Sequence, residues 1–196
     1  MAGPRKVTDV GSRCIKPLGS SMTLTDSLEP LHLRHVFATF PTGVAALAAL
    51  VDEEPQGIAV SSFTSVSLDP AMVLVCVART STTWPLLAKV PRLGISVLAA
   101  DQGRACRQLS ARVDDRFNGL GWRATPDGAV LLEGASGWFE CSVEHQDPAG
   151  DHDIVVLRVH DLDGDHGVPP LVFHGSRFRQ LEREVVALDG AETWRP

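Results

Sequence analysis

The stretch Val44-Ala-Ala-Leu-Ala-Ala-Leu-Val51, followed by Asp52-Glu-Glu-Pro-Gln-Gly57 and then Ile58-Ala-Val-Ser-Ser62, decides how the chain is read. Ala and Leu dominate the first eight residues, and intrinsic propensity alone favours a helix there. Position favours a strand. The run is short, starts after Gly43 and ends at a turn rich in Asp, Glu, Pro and Gly, with Gly57–Ser62 as its hairpin partner.

Reading outward, Met72-Val-Leu-Val-Cys-Val-Ala78 is an apolar, β-branched run of the kind a buried strand needs. Thr82-Thr-Trp-Pro85 caps a short helix through Lys89, and Leu93-Gly-Ile-Ser-Val-Leu98 is a further strand. Asp101 opens a helix to about Arg112, with Ala105, Leu109 and Cys106 facing inward. Trp138–His145 and Ile154–Leu162 read as long strands, and Leu171-Val-Phe173 as a last short one. Upstream, a cap near Asp26 and Pro30 in the first turn open a helix on which Leu33, Val36, Phe37 and Phe40 form one apolar stripe; Pro41-Thr-Gly43 ends it. Six or seven strands with two or three short helices do not alternate in the manner of a doubly wound sheet. The expected class is mainly β (α+β): a closed, mostly antiparallel barrel with flanking short helices. Residues 1–25 have no periodicity and read as a flexible tail.

The 196 residues suffice for one domain with a core that needs no disulfide staples. Lys and Arg number 18 against 24 Asp and Glu, a net charge of −6, which argues against nucleic acid as a partner. The longest apolar run, Val44 to Val51, is far short of a membrane span, and no apolar segment follows the charged N-terminus. The expectation is a cytoplasmic chain with reduced thiols. Its four cysteines form no CxxC pair, and Cys76 and Cys141 sit in apolar runs as small buried residues. Gly119-Leu-Gly-Trp-Arg-Ala124 spells a dinucleotide fingerprint but lacks the strand before it and the helix after it, so it reads as a loop. Asp161-Leu-Asp-Gly-Asp165 begins like a calcium loop, yet His166 and Val172 stand where Gly and Glu are needed. No HExxH and no GxSxG occur, so neither a metal centre nor a serine nucleophile is expected.

Hydroxyl density is the positive signal. Ser61-Ser-Phe-Thr-Ser-Val-Ser-Leu-Asp-Pro70 carries five hydroxyls in its first seven residues and connects two strands. Arg79-Thr-Ser-Thr-Thr83 leads into a helix start. Hydroxyls and backbone N–H groups together suit a phosphate ester, and Arg79 adds a charge-assisted contact. The same residue types also serve as ordinary turns and caps. Asp114-Asp-Arg-Phe117 after a helix and Gly150-Asp-His152 at a strand mouth complete the candidates.

In order along the chain, these segments resemble the flavin reductase family, the small NAD(P)H:flavin oxidoreductases of two-component monooxygenase systems. Phe40-Pro-Thr-Gly-Val44, the run from Gly57 to Pro70, Val75 to Thr83, Leu93 to Leu98, Asp115-Arg-Phe117, Phe139-Glu-Cys141, Gly150-Asp-His152 and Pro170 to Gly175 carry the likeness over about residues 30–181. The resemblance implies an FMN-binding split barrel over 26–181, with 182–196 as a C-terminal tail, usually as a homodimer. It places Ser61, Ser62, Phe63 and Ser65 beside the flavin ring and Thr42 and Gly43 near it. Ser67, Arg79, Ser81, Thr82 and Thr83 stand at phosphate and ribityl, and Arg116 and Phe117 at the pocket border. His152, with Asp151, receives the nicotinamide and is the catalytic candidate. The implied cofactors are FAD or FMN, held exchangeably, and NADH in preference to NADPH. The implied partner is a flavin-dependent monooxygenase that takes the reduced flavin. Many relatives carry a Tyr in the closing segment; this chain has none, leaving Phe173 and Phe178 as aromatic substitutes. The alternatives are a flavin-binding split barrel without NAD(P)H turnover and a pyridoxamine-phosphate oxidase-like enzyme.

Overall fold

The computed structural model describes residues 28–113 and 115–181; the two expected tails and Asp114 lie outside the described residues. The chain divides into two units, Met1–Phe37 and Ala38–Pro196. In the first, α1 (Pro30–Phe37) forms with Pro at its start, as the sequence suggests. The expected apolar stripe is not buried there: no α1 residue is, and Phe37 is 69% exposed.

The second unit is mainly β. Its large sheet holds seven strands in the order β3 (Glu54–Val60), β2 (Ala45–Val51), β6 (Leu93–Val97), β9 (Gly137–Ala149), β10 (His152–Gly164), β5 (Ala71–Ala78) and β4 (Thr64–Leu68), and every neighbouring pair is antiparallel. A three-stranded sheet of β1 (Thr42–Gly43), β11 (Val172–His174) and β12 (Arg177–Arg179) and a hairpin of β7 (Trp122–Ala124) and β8 (Val130–Leu132) accompany it. The helices are α2 (Trp84–Leu87) and α3 (Gly103–Ser110).

The edge strands β3 and β4 are consecutive in the chain, joined only by Ser61-Ser62-Phe63. Seven strands laid flat would hold their edges roughly 29 Å apart. A three-residue link spans at most about 14 Å. The sheet therefore curls until its edges approach. The Ser62 hydroxyl pins the link to β5, the neighbour of β4, donating to the Cys76 carbonyl at 3.0 Å and accepting the Cys76 N–H at 2.8 Å. On its other side Cys76 faces Ile154 of β10 across the ladder.

Strand β2 resolves the ambiguous stretch. Ala45, Leu47 and Ala49 pack into one core cluster with Val75, Leu93, Ile95, Val155 and Leu157. Val44, Ala46 and Ala48 pack into a second with Leu98, Leu109, Phe117 and Val130. A strand buried on both faces reads as a continuous apolar run, which is why periodicity could not separate it from a helix. The β2–β3 turn is tighter than the expected Asp52–Gly57 loop. Val51 pairs with Glu54, so only Asp52 and Glu53 turn, with φ of 51° and 67°, the mirror-image geometry that matches strand twist. Gly94 of β6 lies so close to the Val130 carbonyl that a Cβ there would overlap it.

Two further expectations change. The hydroxyl-rich link is itself partly a strand: Thr64–Leu68 pairs with β5 (Ser65↔Val73, Ser67↔Met72). An edge strand with both faces largely exposed accepts Ser and Thr, which disguised it as a loop. The supposed loop at Gly119–Ala124 ends in β7.

Strands β9 and β10 form the longest ladder, and it carries two register shifts. Leu157 pairs with Val143 but Val156 with His145, leaving Glu144 extra on β9; Val159 pairs with Cys141 but Asp161 with Glu140, leaving His160 extra on β10. Each extra residue is clamped by the opposite strand. Arg158 donates twice to Glu144 at 2.8 Å and holds its carboxyl below the usual range, and His160 hydrogen-bonds Ser142 at 2.8 Å.

Candidate functional site

A cleft of about 740 Å³ opens against the face of β5 turned away from the core, within the size range of small-molecule and cofactor sites. Its floor is the end of β3, Ile58 to Val60, with the link residues Ser61 and Ser62. One wall is Cys76 and Ala78 of β5 with the loop residues Thr80, Ser81, Thr82 and Thr83; His152, first residue of β10, stands at its edge. The other wall is the end of α3, Leu109 and Ser110, followed by Arg112, Val113 and Arg116. Among the described residues, two arginines, one histidine and no carboxylate line it.

Strand alternation puts Cys76 and Ala78 here. Val73, Val75 and Val77 point into the core, so their neighbours face outward. The Thr80–Thr83 loop is held from below. Ser81 accepts the Trp84 N–H at 3.1 Å, and the Trp84 indole donates to Gln146 at 3.3 Å. Gln146 donates to Asp153 at 2.9 Å, and Arg79 lies 3.8 Å from the same carboxylate. Arg116 braces the floor to this loop, donating to the Gly57 carbonyl at 3.1 Å and to the buried Thr83 hydroxyl at 2.7 Å. Gln108 of α3 fixes the Arg116 segment by donating to the Arg116 and Asn118 carbonyls.

His152 has its Nδ1 2.7 Å from the Asp151 carboxylate, and its side chain is 45% exposed. With Nδ1–H donating to Asp151, Nε2 is left as an acceptor, or as a donor once the ring is protonated.

The cleft gathers Ser61, Ser62, Ser81, Thr82, Thr83, Arg116 and His152 from the sequence-based set, with Asp151 behind His152. The remaining candidates are elsewhere in this chain. Thr42 and Gly43 pair with Phe173 and Val172 on the small sheet. Phe63 packs on Phe139 with ring centroids 5.2 Å apart, and Phe117 is buried in the second core cluster, edge-on to Trp122. Ser65 and Ser67 are on β4, and Arg79 faces Asp153. Phe173 and Phe178 contact each other, and Arg107 lies 5.5 Å over the Phe178 ring. Thr80 lines the cleft too, from the Arg79–Thr83 cluster, whereas sequence reasoning missed Cys76, Ser110 and Arg112. Strand alternation across Met72–Ala78 could have found Cys76, but no pattern marks Arg112.

Hydroxyl-rich walls with a few cationic donors suit an anionic, phosphorylated ligand. The comparisons agree with that chemistry. Residues 37–182 match the flavin reductase like domain. A flavin reductase of Pseudomonas putida is 34% identical over 149 residues, 76% of this chain and 88% of that protein. The reductase subunit HsaB of a flavin-dependent monooxygenase from Rhodococcus jostii is 30% identical over 164 residues, 84% of each chain. Among solved structures, the NADH:FAD oxidoreductase of Streptomyces globisporus C-1027, in complex with NAD and FAD fragments, superposes with a TM-score of 0.77 at 34% identity, covering 83% of this chain and 99% of that one. The chain belongs to the flavin reductase family.

Proposed function

We propose that this chain reduces FAD or FMN with NADH, NADPH being the poorer donor, and releases the reduced flavin to a partner monooxygenase. The observation that carries the reading is the cleft with hydroxyls on one wall, two arginines on the other and His152 at its edge. The donor set fits both cofactors: hydroxyls and N–H groups suit the ribityl and phosphate, and Arg116 is fixed beside them. When bound, nicotinamide supplies a hydride and flavin accepts it, so the protein supplies orientation and electrostatics.

Each protein group then has a task. The Ser61–Ser62 link and the Thr80–Thr83 loop orient the flavin between floor and wall. His152 uses Nε2 to hold the nicotinamide end, and Asp151 fixes its tautomer. The open cleft suits an exchangeable flavin, which a supplier of reduced flavin needs. The curled sheet is the split barrel of this reading. The Met72, Leu74, Ile154 and Val156 strip beside the cleft favours a homodimer, because a second copy would cover apolar surface next to the site. No helix among the described residues is long and apolar enough to cross a membrane, and a cytoplasmic location belongs to the same proposal.

The test is anaerobic mixing of protein, excess FAD or FMN, and NADH, following absorbance at the flavin and nicotinamide bands. Multiple turnovers of added flavin support the reading. Flavin that stays oxidised overturns it. Flavin that co-elutes stoichiometrically after extensive washing overturns the exchangeable part.

A further inference from the structure

The cleft holds one cation without a task. Arg79 does not line it and sits against Asp153. Arg116 lines it but is bonded to the Gly57 carbonyl and the Thr83 hydroxyl. Arg112 lines it, is exposed, and makes no hydrogen bond or ion pair among the described residues. The backbone presents it there: α3 ends at Ser110, and Ala111 is extended with ψ of 156°, turning the chain along the cleft. The two bonds from Gln108 hold the following segment in place. Ser110, its neighbour on this wall, is already used, donating to the Cys106 carbonyl at 2.8 Å.

We propose that Arg112 is the phosphate-binding residue of the cleft mouth. It takes the phosphate or pyrophosphate of the bound cofactor and sets the preference for phosphorylated cofactors over riboflavin. This rests on the flavin-reducing function proposed above. A guanidinium offers a planar fork of donors that matches phosphate oxygens two at a time. The chain is acidic overall, at −6, so a polyanion approaches against the global field and needs a local cation to be held. The hydroxyls opposite lack charge, and Arg116 cannot turn outward without releasing Gly57 and Thr83. Of the two described arginines that line the cleft, Arg112 is the one that can meet a phosphate without breaking a bond inside the protein.

The experiment titrates the full-length wild type, Arg112→Gln and Arg112→Lys with FAD, FMN and riboflavin by flavin fluorescence, and measures KM for NADH. Arg112→Gln should weaken FAD and FMN about tenfold while riboflavin changes less than twofold. Arg112→Lys should recover part of the loss, and added salt should weaken wild-type FAD binding more than that of Arg112→Gln. A rise in the NADH KM with flavin titrations unchanged overturns the preference assigned to Arg112, as does equal weakening of riboflavin and FAD or no change in any measurement. A wild type that neither binds flavin nor oxidises NADH defeats the parent reading instead, which keeps the two failures apart.

Discussion

Replacing Ser62 by Ala removes one oxygen and two hydrogen bonds. The hydroxyl donates to the Cys76 carbonyl and accepts the Cys76 N–H, at 3.0 and 2.8 Å. Both Cys76 backbone groups point to that side, so Ile154 on the other side cannot take them over. A typical hydrogen bond contributes about 1 kcal/mol net, so the pair contributes about 2 kcal/mol. The adjoining cleft admits water to the freed groups, which keeps the loss from growing beyond that. For a chain of this size, about 2 kcal/mol lowers Tm by roughly 4–8 °C. Urea and thermal unfolding, followed by circular dichroism, read both quantities. Ser62→Thr, which keeps the hydroxyl, is the control and should lose less. A Ser62→Ala protein within about 1 °C of wild type refutes the reasoning, because the β3–β4 link would then be held against β5 by something other than this hydroxyl.

His152→Ala should raise the KM for NADH more than that for flavin; a change confined to flavin affinity would refute its placement at the nicotinamide. Gly94→Ala puts a methyl group against the Val130 carbonyl and should cost about 3 kcal/mol in urea unfolding, whereas a neutral result would mean that β6 and β8 move apart freely. Burial pushes the Cys141 thiol up to about 12, so in the folded protein it should resist iodoacetamide at pH 8.5 until denaturant is added. Because the folded value is raised, this thiol should leave stability flat below the ordinary thiol range and lower it as pH climbs from about 9 toward 12.

How much was legible in the sequence depended on whether one strand sufficed to define a feature. Met72–Ala78 could be read alone, because alternation within it is visible once one face is buried. Val44–Val51 could not, because both its faces are buried and the second face becomes apparent only when α3 and β8 are in place. The Ser61–Pro70 segment was noticed for its hydroxyls, but one of them, Ser62, pins the link between the two edge strands to β5, a fact of topology. The cleft was half legible. Ser81, Thr83 and His152 stood in segments with a recognisable pattern. Arg112 is one charged residue among several, and what distinguishes it is that it has no partner among the described residues.

The two extra residues in the β9–β10 ladder constrain how this hairpin can change length. Glu144 slips the pairing by one residue and His160 slips it back, so the ladder is in step again at its base. A strand shows alternate residues to alternate faces, so an uncompensated slip inverts everything beyond it. Deleting Glu144 alone would close the bulge and leave its flanking pairs, and the tip that carries Asp151 and His152, in register. Away from the two bulges, insertions and deletions in this arm should be tolerated in twos, or as matched single changes on both strands. The bulged residues thus set a counting rule for the hairpin that no single contact imposes.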